Sequence, residues 1–153
     1  MPQCLLCPWS QICRAHEVGN ELMIPVKTPK KKRVIEEKTV YILLYDNRVA
    51  LHKRPEQGLL AGLWELPMTE EIQDEKALQR QLRQWDVMIK EWEWSVTAKH
   101  IFTHKEWHMK GVLVHVHNGS EQFQWVTKKE LQQQYALPSA FRVYQSIVME
   151  HLK

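Results

Sequence analysis

The most reactive side chains of this 153-residue sequence are three cysteines near its amino terminus. They are Cys4, Cys7 and Cys13, spaced as Cys-x2-Cys-x5-Cys, and the rest of the chain has none. Loops this short make a poor disulfide framework, because closing them removes little entropy from the unfolded chain. Thiolates are soft ligands, so the clustering favours a metal or an iron–sulfur cluster. Three thiolates leave one position open, so either another ligand fills it or part of the site is missing; the alternative is free thiols on a frayed end.

A run of four basic residues lies in the segment 21–38, which we interpret as a connector after a Cys-rich loop at residues 1–20. Pro25 and Pro29 disfavour a helix there and favour extended chain. The basic residues are Lys30, Lys31, Lys32 and Arg33. Such a run is either a solvated linker or a set of phosphate contacts. The formal net charge of +3 permits a nucleic-acid partner without indicating one.

Residues 39–153 have the hydrophobic periodicity of one α+β domain. The apolar runs Thr39–Tyr45 and Val49–Lys53 predict two strands joined by a turn at Asp46-Asn47, and helical spacing predicts a helix over Asp74–Trp85. The remaining expected elements are strands over Val87–Trp94, Trp107–His117 and Phe123–Val126, a loop over Thr97–Glu106, a helix opened by a Thr127–Glu130 capping box, and a last helix capped by Ser139.

The cysteine spacing resembles the last three ligands of the iron–sulfur loop in MutY-type adenine DNA glycosylases and endonuclease III. In that family a fourth cysteine stands seven positions earlier, which would lie ahead of Met1. The resemblance implies that Cys4, Cys7 and Cys13 are ligands of a 4Fe-4S cluster in a longer parent protein. With three of the four ligands, we expect this chain to assemble no intact cluster.

Three further segments resemble the C-terminal domain of bacterial MutY proteins. The run Arg54–Pro67 is very similar to the corresponding run of that domain, although most of its residues could serve folding alone. Phe102-Thr103-His104 resembles a Phe-Ser-His element that the family uses to read 8-oxoguanine. Leu137–Phe141 is similar to the entry of the family's C-terminal helix. The resemblance therefore covers essentially the whole chain.

The fold that this resemblance implies is Nudix-like, a mixed β-sheet flanked by helices. It raises a rival function, a Mg²⁺-dependent Nudix hydrolase of an oxidised nucleotide, which needs several carboxylates on one helix. At the corresponding place the sequence reads Arg80-Gln81-Leu82-Arg83-Gln84-Trp85, with amides and an indole instead of glutamates. The nearby acidic residues of segment 70–75 fit the solvated start of a helix. We therefore expect no catalytic residue in this chain.

The remaining expectation is base recognition. Oxidation of guanine gives C8 a carbonyl acceptor and turns N7 into an N–H donor, and a hydroxyl can pair with either. We expect Thr103 to make this contact, Phe102 to wedge against the duplex or to belong to the core, and His104 to touch phosphate, to shape the loop or to be an ordinary surface residue. Lys99 and Lys105 are further candidates for phosphate contacts.

The resemblance also implies partners. The expected ligand is double-stranded DNA with an 8-oxoguanine:adenine mispair. The N-terminal glycosylase domain of the same protein would flip out and excise the adenine. The sequence has no apolar run long enough for a membrane span and no secretory segment, so we expect a cytoplasmic protein without a membrane partner.

Overall fold

The computed structural model describes residues 1–153, which form two compact units, Met1–Lys32 and Arg33–Lys153. The first unit is built from short helical turns. One α-helix, α1 (Arg14–Val18), lies among three 3-10 turns at Cys4–Leu6, Ser10–Ile12 and Glu21–Met23. Gly19 ends α1 in the left-handed conformation, with φ of 71°, and its N–H bonds back to the helix.

The second unit contains a mixed sheet of seven strands. The strands are β1 (Val34–Tyr45), β2 (Arg48–Lys53), β3 (Trp64–Glu65), β4 (Met68–Glu70), β5 (Ile89–Ile101), β6 (Lys105–Val116) and β7 (Gln124–Val126). Their order is β3-β2-β1-β6-β5, with β4 on β1 and β7 on β2. β1 and β6 run parallel, and the other pairs are antiparallel. The α+β architecture expected from the sequence is confirmed.

Helices cover both faces of the sheet. The remaining helices are α2 (Glu75–Gln84), α3 (Lys128–Gln133) and α4 (Arg142–His151). Side chains alternate along each strand, so β1 contributes to two cores. Val40 and Ile42 pack with Tyr144 and Val148 of α4 on one face. On the other face, the buried side chains of β1 and β6 pack with those of α2, namely Tyr41, Leu43, Val112, Val114, Leu78 and Leu82.

Several local predictions agree with the structure. Asp46 and Asn47 form the β1–β2 turn with φ of 46° and 55°, as a two-residue hairpin turn requires. Asp74 caps α2 by accepting from the Ala77 N–H at 2.8 Å. The capping box is present, since Thr127 accepts from the Glu130 N–H while the Glu130 carboxylate accepts from the Thr127 N–H.

Three predicted boundaries were wrong. β1 begins at Val34, inside the expected connector, because it continues in parallel register with β6 down to the pair Val34–Lys105. The expected loop over 97–106 is mostly strand, since β5 pairs with β6 as far as Ile101. The last helix begins at Arg142 after a 3-10 turn, and Ser139 does not cap it. None of the helices has the length and apolar character that crossing a membrane requires.

Candidate nucleic-acid interface

The tripeptide Phe102–His104 is the tip of the long β5–β6 hairpin. The Phe102 N–H donates to the Lys105 carbonyl at 2.8 Å and closes the turn. The tip is also fastened to the start of β1, since the Val34 N–H donates to the His104 carbonyl at 3.1 Å. Arg33 Nε donates to the Phe102 carbonyl at 3.1 Å. Two residues distant in sequence, Arg33 and Val34, thus help to hold the turn in one conformation.

Phe102 and its two neighbours in the tip have different environments. The Phe102 ring is half-buried and packs edge-on between His100 and Trp107, with ring centroids 4.6 and 4.9 Å away. The side chains of Thr103 and His104 are exposed. Phe102 therefore anchors the tip to the rim of the core, while Thr103 and His104 are exposed to solvent.

A groove of about 520 Å³ runs beside the tip. Its lining residues are Leu59, Ile101, Phe102, Thr103, His104 and Lys105. Ile101 is half exposed, so an apolar surface adjoins the Thr103 hydroxyl and the His104 imidazole. Sequence reasoning missed Leu59 and Ile101 as members of this surface. Their signals were membership of the Arg54–Pro67 run and direct adjacency to the tripeptide.

The loop that carries Leu59 is held by Arg54. Arg54 Nε donates to the Leu59 carbonyl at 2.9 Å, and Nη1 donates to Glu65 Oε2 at 2.6 Å. Its guanidinium lies 5.6 Å from the centroid of the Trp107 ring. Gly58, with φ of 94°, takes a conformation that favours glycine. The run that resembles MutY proteins thus folds a loop whose Leu59 faces the hairpin tip.

The lysines expected at phosphates are partly neutralised within the chain. Lys105 Nζ lies 2.5 Å from Glu36, which also accepts from Trp107 Nε1 at 3.0 Å. Lys99 Nζ lies 2.6 Å from Glu106. The hydrogen bonds of His108 and then of Lys99 hold the pKa of Glu106 below its ordinary value. Arg33 is exposed beside the tip, so of these cations it is the best placed to reach a phosphate.

Glu36 gives a prediction about acid stability. The hydrogen bond from Lys105, above all, keeps its pKa below the ordinary value of 4.5. A lowered folded-state pKa means that this stabilisation is present above the ordinary pKa and is lost as pH falls through the folded-state value. Glu36→Gln is therefore expected to lower the free energy of unfolding at pH 7. Below about pH 5, the free energy of unfolding of this variant should decrease less steeply with falling pH than that of the wild type. Urea unfolding at several pH values measures both.

The matched control for this experiment is Glu37→Gln, at the exposed next position of the same strand. It should leave the pH dependence of the unfolding free energy as in the wild type. An acid limb of unchanged steepness in Glu36→Gln would contradict the role given to the Lys105–Glu36 pair.

By the resemblance in the sequence, the place of the Nudix catalytic helix falls on α2. It buries Leu78 and Leu82 against the sheet and carries Gln81 and Gln84 where hydrolases need carboxylates. Two acidic side chains of the preceding segment have structural partners, since Glu70 pairs with Lys38 and Asp74 caps the helix, whereas Glu71 and Glu75 form no ion pair. Within residues 33–153 no three ligand atoms of His, Cys, Asp or Glu converge within 4.8 Å.

The first unit does bring metal-ligand types together. Cys4, Cys7 and Cys13 are half-buried free thiols, but the ligand atoms that converge belong to Cys4, His16 and Glu21. Burial, and after it the Glu21 carboxylate, raises the pKa of the Cys4 thiol. One thiol, one imidazole and one carboxylate do not make the four-thiolate set of a 4Fe-4S cluster. The cluster stays a prediction from the resemblance, and Lys30, Lys31 and Lys32 are exposed at the end of this unit.

Comparisons with known proteins show the family of the second unit. A family model described as NUDIX domain matches residues 39–145. The adenine DNA glycosylase of Arabidopsis thaliana is 40% identical over 80 residues, and the match spans 43% of this chain and 13% of that protein. The mouse MUTYH C-terminal domain, solved with human PCNA, superposes with a TM-score of 0.59 at 20% identity, covering 75% of this chain and 87% of that one.

A MutT NUDIX hydrolase from Burkholderia pseudomallei superposes with a TM-score of 0.56 at 18% identity and covers 78% of this chain and 98% of that one. Structural similarity at this level of identity shows the fold. It does not distinguish a DNA-recognition domain from a hydrolase. The partial match to an adenine DNA glycosylase confirms the resemblance found in the sequence. Because the family model matches well over half of its residues, the chain belongs to the NUDIX domain family.

Proposed function

We propose that this chain is the DNA-reading domain of an adenine DNA glycosylase, recognising 8-oxoguanine opposite adenine in double-stranded DNA. The observation that carries the proposal is the placement of Phe102-Thr103-His104 at the tip of a rigid, exposed hairpin. The parent protein would supply the domain that excises adenine and the remainder of any iron–sulfur site.

The exposed tip provides the groups that the damaged base requires. The Thr103 hydroxyl can accept from the new N7–H or donate to the new C8 carbonyl, and the replacement of serine by threonine keeps this hydroxyl. Phe102, Ile101 and Leu59 form an apolar floor against which a base or sugar edge can pack. The backbone of the tip is fixed by bonds to Arg33, Val34 and Lys105, so ordering the loop costs little on binding.

Nudix hydrolysis is less well supported by the site. Mg²⁺ prefers hard oxygen ligands, and at the corresponding positions the chain has two amides and an indole, those of Gln81, Gln84 and Trp85. Of the carboxylates in the segment that leads into α2, Glu70 is used in an ion pair and Asp74 in the helix cap. The MutT-like proteins share the fold with this chain, so the fold does not decide between the two functions. The missing carboxylates favour base recognition over catalysis.

Thr103→Ala should reduce the preference for 8-oxoguanine over guanine. Fluorescence anisotropy with two duplexes, one with 8-oxoguanine:adenine and one with guanine:adenine, measures this preference for the 153-residue chain. We expect a loss of up to about tenfold in the affinity ratio, because a bidentate base contact contributes about 1–3 kcal/mol of discrimination and a single hydroxyl makes a smaller contact. Thr103→Ser should keep the preference, since it retains the hydroxyl.

Thr97→Ala, at an exposed threonine of β5, is the matched control and should behave as the wild type. An unchanged preference in Thr103→Ala removes Thr103 from the site. Equal wild-type affinity for both duplexes, or turnover of 8-oxo-dGTP with Mg²⁺, would overturn the proposed function.

A further inference from the structure

Two histidines and two glutamates line a pocket of about 210 Å³ at the end of the β5–β6 hairpin that is remote from its tip. The histidines are His115 of β6 and His151 of α4, and the glutamates are Glu91 and Glu93 of β5. Glu91 lies directly opposite His115 in the antiparallel register. Glu93 is two residues further along the strand and therefore lies on the same face of the sheet. Three elements thus bring four side chains with metal-ligand atoms to one place.

The two imidazole rings have nearly the spacing of a pair that shares one ion. Their centroids lie 6.3 Å apart, with 54° between the ring planes. Zinc–nitrogen bonds of about 2.0–2.1 Å place the centroids of two imidazoles bound to one ion about 5–6 Å apart. The four ligand atoms do not converge within 4.8 Å in this conformation. His151 and both glutamates are exposed, so rotation of their side chains would close the set around an ion.

The hydrogen bonding of His151 leaves the nitrogen that faces outward free to bind a cation. Its Nδ1 lies 2.9 Å from the Ile147 carbonyl, one turn earlier in α4. A carbonyl oxygen can only accept, so Nδ1 carries the hydrogen and donates it, and the lone pair of the neutral ring is on Nε2. Histidine ligands of metals commonly have their second ring nitrogen fixed in this way by a backbone carbonyl.

The donor set indicates which cation fits. Mg²⁺ and Ca²⁺ take oxygen ligands, whereas Zn²⁺ combines histidine nitrogen and carboxylate oxygen in one tetrahedron. Two neutral imidazoles and two carboxylates supply four ligands, and the charge of the two carboxylates balances that of one divalent ion. Glu91 and Glu93 repel each other on one face of the strand, and a cation between them would remove this repulsion.

We propose that His115, His151, Glu91 and Glu93 bind one zinc ion. The ion would join the last turn of α4 to the edge strand β5, and because it binds the folded chain it would stabilise that state. The site lies at the opposite end of the hairpin from residues 102–104 and does not depend on the proposed recognition of DNA. Failure of one proposal therefore leaves the other unaffected.

The test must exclude zinc binding by the cysteines of the first unit. We would therefore titrate the full 153-residue chain with the three substitutions Cys4→Ser, Cys7→Ser and Cys13→Ser. All three cysteines lie outside the unit Arg33–Lys153 that contains the pocket. Calorimetric titration with Zn²⁺ should give one ion per chain. Co²⁺ should give the visible bands of tetrahedral coordination without thiolate charge-transfer absorption, and saturating Zn²⁺ should raise the melting temperature.

Variants in this thiol-free chain test each ligand. His115→Ala and His151→Ala should each weaken Zn²⁺ binding at least about tenfold and abolish the rise in melting temperature. The double variant Glu91→Gln/Glu93→Gln should weaken binding to a similar extent, since it removes both charges. The matched control is His117→Ala, at an exposed histidine just beyond β6, which should bind Zn²⁺ like the parent thiol-free chain.

Three results would overturn the assignment. One is the absence of stoichiometric Zn²⁺ binding in a thiol-free chain whose circular dichroism shows that it is folded. Another is unchanged affinity in His115→Ala or in His151→Ala, which would remove that imidazole from the ligand set. The third is a loss of affinity in His117→Ala as large as that in His115→Ala. His151→Gln, which keeps a polar side chain at the exposed position, separates loss of the ligand from loss of folding.

Discussion

Trp107→Ala is expected to lower the free energy of unfolding by about 3–5 kcal/mol, the usual cost of truncating a buried aromatic side chain. Trp107 is 1% exposed. Its ring contacts Phe102 and Phe141, and its Nε1 donates to Glu36 at 3.0 Å. Truncation thus opens a cavity and removes one of the donors to the half-buried Glu36 carboxylate, whose Oε2 keeps Lys38 Nζ at 3.3 Å. Urea unfolding followed by circular dichroism measures the loss.

The effect of Trp107→Ala should extend to the candidate interface. Phe102 packs on the Trp107 ring at 4.9 Å, so we expect faster amide exchange at residues 102–104 and a smaller preference for 8-oxoguanine duplexes. Trp107→Phe keeps an aromatic ring and should lower the free energy of unfolding less than Trp107→Ala does. Trp94→Ala, at a tryptophan that is 37% exposed, is the matched control and should cost under about half as much.

A stability loss below ~1 kcal/mol for Trp107→Ala would contradict the central position given to this ring. If amide exchange at the tip stayed as in the wild type while the stability loss was large, the conformation of the tip would not depend on the packing of Trp107. In that case Phe102 would be held by the turn itself and not by its packing.

Arg54→Met should have the second large effect, a loss of about 3–5 kcal/mol, as expected when one partner of a buried ion pair is removed. Glu65 is 6% exposed, and its Oε2 lies 2.6 Å from Arg54 Nη1. Without the guanidinium, His52 at 3.3 Å is the remaining partner of this carboxylate. The Leu59 carbonyl would also lose its donor. Thermal and urea unfolding of the variant measure the effect.

Arg54→Lys should restore little of the lost stability, because an ammonium group cannot bond both the carboxylate and the Leu59 carbonyl with the fork geometry of a guanidinium. Lys53→Met is the control, since Lys53 pairs with Glu56 at 3.4 Å on the surface and such pairs contribute little. The double variant Arg54→Met/Glu65→Met should be more stable than Arg54→Met alone. Equal stability of these two variants would show that Arg54 acts through packing on Trp107 and not through Glu65.

Elements with a strong local signal could be predicted from the sequence. Leu78 and Leu82 one helical turn apart, with Asp74 before them, were sufficient for α2. Asp46-Asn47 between two apolar runs was sufficient for the hairpin turn, since both residues tolerate positive φ. These features depend on residues within one or two turns of each other.

Strand ends could not be predicted in the same way. β5 is the edge strand of the sheet, and many of its side chains are exposed, so its outer half has polar residues and no clear apolar alternation. Its pairing with β6 continues to Ile101 through backbone bonds, which every residue except proline can form. The start of β1, Val34–Lys38, was assigned to the connector because it too is held in the sheet by backbone pairing, here with β6.

The sequence by itself determined the family, the composition of the tripeptide Phe102-Thr103-His104 and the absence of carboxylates at Gln81 and Gln84 of α2, because each is a property of residue types in a short run. Only the tertiary structure decided that this tripeptide is a fastened hairpin tip, since its bonds to Arg33 and Val34 join positions about seventy residues apart in sequence. The grouping of Cys4 with His16 and Glu21 arises in the same way, from turns of the chain that no spacing rule describes.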